Sequence, residues 1–269
     1  MSLFRVWQLA QFELTRLFAT KRGLLALSAF AMVWFMILNY LIAQAVPFIS
    51  SPEFSEVAQE LAGNIGLQEL VSWPQAELAV FWLIALYSFP GFCIFVCSDQ
   101  TVGDRLRGTL RFISLRCTRD EILLGRFLGQ LLIIAILISL TVLATFLVMI
   151  YRDMSLFGSG LVLSLQLILQ LVIIVMPFIA LMSLLNLISS SSRLTVVLAI
   201  LLFTLANALI GYLSYYLPII SGLLYAFPGV QLLDIAPQTS TSMVNWLLPI
   251  GQSAGLLALS AFTFRRRSL

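Results

Sequence analysis

Residues 127–151 read FLGQLLIIAILISLTVLATFLVMIY, a stretch without Asp, Glu, Lys, Arg or His. A chain crosses a hydrocarbon core as a helix of roughly 20 apolar residues, because no water is there to satisfy backbone groups. This run is long enough. The chain holds six uncharged stretches of more than 20 residues: Gly23–Pro52, Leu78–Ser98, Phe127–Tyr151, Met154–Ser192, Leu194–Leu233 and Ile235–Phe264. Their origin is compositional: 61% of the 269 residues are hydrophobic and 10% charged, where soluble domains run at about 45–50% and about 25%. A soluble fold is excluded. One span per stretch predicts an all-α integral membrane protein with six transmembrane helices near residues 24–46, 78–97, 127–151, 161–187, 194–217 and 246–264. They form one transmembrane domain over 1–269, with an external loop over 47–77 and a cytoplasmic loop over 98–126.

Lys and Arg in short loops keep those loops cytoplasmic, whereas acidic residues contribute little. Arg5, Arg16, Lys21 and Arg22 precede the first span, and Arg105, Arg107, Arg111, Arg116, Arg119 and Arg126 lie between the second and third. Arg193 follows the fourth span, and Arg265, Arg266 and Arg267 follow the sixth. On this layout fourteen of the 15 basic residues share one side, with Arg152 alone opposite. The 47–77 loop carries Glu53, Glu56, Glu60, Glu69 and Glu77 and no base. Both termini are therefore expected in the cytoplasm. A seventh span in Pro218–Leu233 would move the terminal arginines outside, so this stretch, with Pro218, Pro228 and nearby Pro237, is predicted to be re-entrant or interfacial. Ala43-Gln44-Ala45 after an apolar run imitates a signal cleavage site. The run exceeds the roughly 7–15 residues of a signal h-region, so the first span is expected to be retained.

The spans as placed contain no ionisable residue and the chain no His, which argues against a proton- or ion-driven carrier. Cys93 and Cys97, one turn apart, could offer soft ligands to Cu(I) together with methionines. Without a CxxC or a His they read as packing residues, and no metal site is expected. No acid, base and nucleophile cluster stands at hydrolase or transferase spacing. A P-loop needs a Gly-Lys step to hold phosphates, and the single lysine, Lys21, follows Thr20. The chain is thus not expected to be an enzyme by itself or to bind a cofactor, and nothing in it points to nucleic acid.

Two cytoplasmic elements remain. Leu3, Trp7, Ala10, Leu14 and Leu17, widened by Phe4 and Phe18, form the apolar stripe of an amphipathic helix, with Arg5, Gln8, Glu13, Thr15 and Arg16 expected on its other faces. Such a helix lies in the headgroup layer as an anchor or acts as a lever on a cytoplasmic partner. In the 98–126 loop, Val102, Leu106, Leu110 and Ile113 give a short stripe. Thr118, with Glu121 three residues on, is an N-cap signal for a helix running straight into the third span.

The spacing of Asp104, Gly108-Thr109-Leu110, Arg119 and Glu121-Ile122-Leu123-Leu124-Gly125-Arg126 resembles the permease subunits of type-2 ABC transporters, the ABC exporter permease family. In that family an acidic residue precedes a Gly-Thr-Leu step, and a base, a short acidic-apolar run, Gly and a second base lead into the third span. The N-terminal amphipathic helix, the six-span layout, the interrupted element at Tyr225-Ala226-Phe227-Pro228-Gly229 and the arginine-rich ending are similar as well. Two departures stand out: Asp104 occupies a position where Glu is common, and a Pro often found before the basic residue is absent around Cys117.

The resemblance implies a permease subunit in a bacterial cytoplasmic (inner) membrane, paired with a second permease chain and with two copies of a separate P-loop ATPase that binds ATP and Mg. It implies ATPase-coupling roles for Asp104, Arg105, Arg107, Gly108, Thr109, Arg111, Arg116, Arg119 and Glu121, with Glu13 and Arg16 contributing from the N-terminal helix. The first, second and fifth spans would surround the dimer axis, where Asn39, Tyr40, Tyr87, Thr204, Asn207 and Tyr212 offer a weakly polar substrate path; interhelical hydrogen bonding is the competing role for these groups. An uncharged path suits an apolar or amphipathic cargo. An alternative expectation is a permease that transmits mechanical work to a periplasmic protein docked on the acidic 47–77 loop, in maturation or envelope remodelling. A membrane enzyme acting on lipids would need intramembrane acids, His or a Ser-centred motif, and none is present.

Overall fold

The computed structural model of the chain describes residues 2–44, 75–216, 222, 225–229, 232 and 243–266. Those residues form nine α-helices and no strand: α1 (Leu3–Phe18), α2 (Lys21–Met36, prolonged by a π-helical stretch Ile37–Ile42), α3 (Ala76–Val96), α4 (Val102–Leu106), α5 (Thr109–Ser114), α6 (Arg119–Arg152), α7 (Phe157–Ile188), α8 (Ser192–Tyr216) and α9 (Met243–Arg266). Six helical stretches, containing α2, α3, α6, α7, α8 and α9, are long and apolar enough to cross a membrane. Most of the external loop expected over 47–77, most of the re-entrant or interfacial stretch expected over 218–233 and the terminal Arg267 lie outside the described residues.

The helix ends follow local chemistry. Thr20 caps α2, its hydroxyl accepting the Gly23 N–H at 3.1 Å. Thr118 and Glu121 form a reciprocal capping box at the start of α6: the Thr118 hydroxyl accepts the Glu121 N–H at 3.3 Å, and the Glu121 carboxylate accepts the Thr118 N–H at 2.9 Å. From that cap α6 runs unbroken to Arg152.

The bundle is centred on α7, which packs against α3, α6, α8 and α9. In the most apolar part of α7, 67% of residues are buried, whereas the same measure is 11% for α2 and 12% for α8. A helix apolar all round belongs in the middle of a bundle. α2 and α8, apolar enough to span but uncovered, present their sides to lipid or to another chain. α2 is held to α3 by rings: Trp34 lies 5.4 Å from both Phe81 and Phe89, and Phe30 lies 4.9 Å from Phe92 between centroids. Cys93 and Cys97 are buried in the apolar core, the packing place expected of them.

At the outer end by the predicted topology, Glu77 is buried at the start of α3 and pairs with Arg152 at the end of α6, a guanidinium N–H donating to its carboxylate at 3.0 Å. The one basic residue that the charge pattern placed opposite the rest therefore serves a buried acid. In the interrupted element, the Gln252 amide of α9 donates to the carbonyls of Tyr225 (2.7 Å) and Phe227 (3.1 Å), which seats that turn on the bundle.

Candidate coupling site at the arginine-rich end

α1 lies along the first half of α6, and the sequence permits this through Gly125 and Gly129. A Cβ on Gly125 would stand 2.6 Å from the Cβ of Leu9, and one on Gly129 would stand 2.8 Å from the Cβ of Glu13. Only hydrogen fits at either place. Val6, Ala10 and Glu13 are the buried residues of α1. The helix thus presses a carboxylate onto α6 one turn beyond the capping box.

That carboxylate meets Arg126. The Arg126 side chain is 1% exposed, pairs with Glu13 of α1 and, through a second nitrogen, with Asp104 of α4. Gln130, one turn further along α6, donates to the second oxygen of Glu13 at 3.2 Å. The Thr109 hydroxyl lies 3.1 Å from the Asp104 carbonyl and 3.2 Å from its carboxylate, and Gly108 turns the chain between α4 and α5 with φ +71°, a left-handed conformation. One guanidinium therefore joins the N-terminal helix, the short helices of the 98–126 loop and the third span. A planar fork suits this, since it directs donors to two carboxylates at once.

The remaining charged residues of this end stitch helix termini together. Arg105 donates to the carbonyls of Leu187 (3.1 Å) and Ser189 at the end of α7, and Arg119 donates to those of Phe264 (2.8 Å) and Arg265 (2.7 Å) at the end of α9. A cation there satisfies orphan carbonyls and complements the helix dipole. Arg16 pairs with Asp99 at 3.0 Å, and Asp99 also accepts from the Ser192 hydroxyl at 2.9 Å, which ties α1 to the start of α8. Glu121 accepts the Ser2 N–H at 2.6 Å and lies 3.6 Å from Arg5. Asp120 pairs with Arg265.

Of the residues that the sequence singled out for coupling, Asp104, Arg105, Arg119, Glu121, Glu13 and Arg16 are engaged inside the chain. Arg107, Arg111 and Arg116 are exposed, next to exposed Leu106, Phe112 and Leu115. Leu106, Arg111, Phe112, Leu115 and Arg116 offer basic and apolar side chains on the outside of α4, α5 and the turn after them, and Arg107 lines a cleft beside α1. Leu115 is 82% exposed. Two expected stripes need correction. Glu13, expected on a polar face of α1, is buried against α6, while Leu3, Phe4, Trp7 and Phe18 of the apolar stripe remain exposed. In the loop, Val102 and Leu110 point inward as expected but Leu106 points out. In both cases hydrophobicity marks two faces, one for the protein and one for its surroundings, and a sequence stripe merges them. Arg126 as the hub was visible only as part of the resemblance; the signal that marks it is Gly125-x-x-x-Gly129 around it, a small-residue spacing that lets a second helix approach.

The described path residues are exposed in the single chain. The Asn39 amide donates to Phe35 O at 3.1 Å and the Thr204 hydroxyl to Ile200 O at 2.8 Å, each within its own helix. Tyr40, Tyr87 and Tyr212 are exposed, Tyr212 lying 3.3 Å from Tyr216 between hydroxyls; the Asn207 side chain is outside the described residues.

Six helices long and apolar enough to cross a membrane, with an amphipathic helix and two short helices at the arginine-rich end, define a polytopic helical membrane protein. The chain matches the family model described as ABC-2 family transporter protein over residues 7–269 and belongs to that family. No curated protein matches the chain. Membership makes this a multi-pass membrane protein, the membrane-spanning subunit of an ABC transporter rather than its ATPase, and it implies pairing with an ATPase subunit and with a second permease chain.

Proposed function

We propose that the chain is the permease half of an ABC exporter in a bacterial cytoplasmic membrane, moving an apolar or amphipathic cargo on ATP hydrolysis by two copies of a separate subunit. The observation that carries this reading is the exposure of Leu106, Arg111, Phe112, Leu115 and Arg116, backed by the Arg126 hub. This face offers apolar anchors beside fixed positive charge, the make-up of a protein-binding patch. Closure of the ATPase pair would push on this face. The push reaches α6 through Asp104 and Arg126, and reaches α1 through Arg126 and Glu13. It reaches the ends of α7 and α9 through Arg105 and Arg119, so a short helix outside the bilayer acts on several spans together. Gly108 and Thr109 set the angle between α4 and α5 rather than touching the ATPase. ATP and Mg are held by the partner.

The uncovered sides of α2 and α8 support a dimer axis lined by these spans, with Asn39, Tyr40, Tyr87, Thr204, Asn207 and Tyr212 bordering the cargo path from both chains. Their weak polarity and lack of charge favour an amphipathic or apolar cargo.

The test is co-purification in mild detergent from native membranes, followed by mass determination of the bound protein. The parent chain should carry a P-loop ATPase at one-to-one ratio, whereas Phe112→Glu with Leu115→Glu should lose it and remain in the membrane. Both side chains project from the bundle, so the substitutions leave its packing alone. Full retention of the ATPase by the double variant would remove this face as the docking site.

A further inference from the structure

At the arginine-rich end a cleft of about 660 Å³ opens between α1, the start of α2, the end of α3, α4 and α6. Its apolar wall includes Leu17, Val96 and Ile133, and its polar wall includes Arg16, Lys21, Asp99, Asp104 and Arg107. The carboxylates are committed within the chain: Asp99 to Arg16 and Ser192, Asp104 and Glu13 to Arg126. Lys21 and Arg107 have neither an ion-pair nor a hydrogen-bond partner among the described residues. Two cations without acceptors thus face one cleft, beside the first turn of α2, whose positive end also favours an anion. The first candidate span begins at Gly23, which also lines the cleft, so the predicted topology puts Lys21 next to the membrane surface.

We propose that this cleft binds a phospholipid from the adjoining leaflet, its phosphate between Lys21 and Arg107 and an acyl chain against Leu17, Val96 and Ile133. The chemistry selects this ligand: a diffusible anion would satisfy the cations and leave the apolar wall wet, and a fatty chain alone would leave the cations unpaired. A phosphodiester with its tail, such as phosphatidylglycerol, satisfies both. The lipid would fasten the start of α2 to α4, adding a membrane component to the linkage that Arg126 makes within the protein. The inference stands apart from the exporter reading, since lipid retention is measured with no ATP and no cargo.

The experiment is native mass spectrometry of the purified complex titrated with phosphatidylglycerol in detergent, comparing the parent with Lys21→Gln, Arg107→Gln and both together. Each juxtamembrane cation lost should weaken retention roughly fivefold, about 25-fold for the pair. Lys21→Arg should retain the lipid, which separates loss of charge from loss of fold. Inorganic phosphate should fail to displace it. Equal retention by parent and double variant, or displacement by inorganic phosphate, would overturn the proposal.

Discussion

Arg126 sits where two requirements conflict. Burying a guanidinium is expensive unless it is paired and hydrogen-bonded, and removing one member of a buried pair leaves the other uncompensated, at about 3–5 kcal/mol. Here a single cation serves two carboxylates, Glu13 and Asp104, of which Glu13 is almost fully buried. Arg126→Leu should therefore lower stability by about 3–5 kcal/mol, read as denaturant unfolding in detergent or as loss of chain from the membrane. Arg126→Lys should recover part of this, because a point charge reaches one carboxylate and not both. A double-mutant cycle of Arg126→Leu with Glu13→Leu isolates the pair. A strong coupling is expected, with the double variant more stable than Arg126→Leu alone; additive losses would show that the two residues act separately.

The element that this hub organises is α1, and its seat depends on two hydrogens. Gly129→Leu would force a side chain into space held by Glu13 and Ala10. The expected result is overpacking of about 1–3 kcal/mol and release of α1 from α6, seen as faster hydrogen exchange of the α1 amides with the exchange of α7 unchanged. Unaltered protection of α1 would mean that the helix does not rest on this contact. How far the sequence reveals such an element depends on what surrounds it. Uncharged runs locate the spans because the bilayer imposes one rule on every residue, and the Thr118–Glu121 cap is local enough to read directly. The burial of Glu13 is different: a carboxylate on an amphipathic helix looks solvated until a partner helix arrives with an arginine at the right height. Likewise Leu106 and Leu110 belong to one stripe in the sequence but to opposite sides of α4 and α5, because Gly108 turns the chain between them.

Across the whole molecule, the basic end is a mesh of ion pairs and hydrogen bonds, and the sides of α2 and α8 are uncovered. Six coupling candidates are engaged within that mesh; on the proposed reading they transmit the movement of the ATPase, and Arg111 and Arg116 with the neighbouring apolar side chains meet it. Docking and transmission then separate by mutation: changes at Phe112 and Leu115 should remove the ATPase, while changes at Asp104 should leave it bound and silence the spans. The paired state is open to direct observation. With Cys117 replaced by Ser and Cys93 and Cys97 buried, Val33→Cys on the open side of α2 should form a disulfide-linked dimer of the permease under mild oxidation.

The most direct measurement is the yield of that Val33→Cys crosslink in the reconstituted complex, with and without ATP, in chains carrying Asp104 or Asp104→Asn. ATP should change the yield when Asp104 is present and leave it unchanged in Asp104→Asn, although the ATPase still co-purifies with both. An identical response to ATP in the two chains would contradict transmission through the Asp104–Arg126 link.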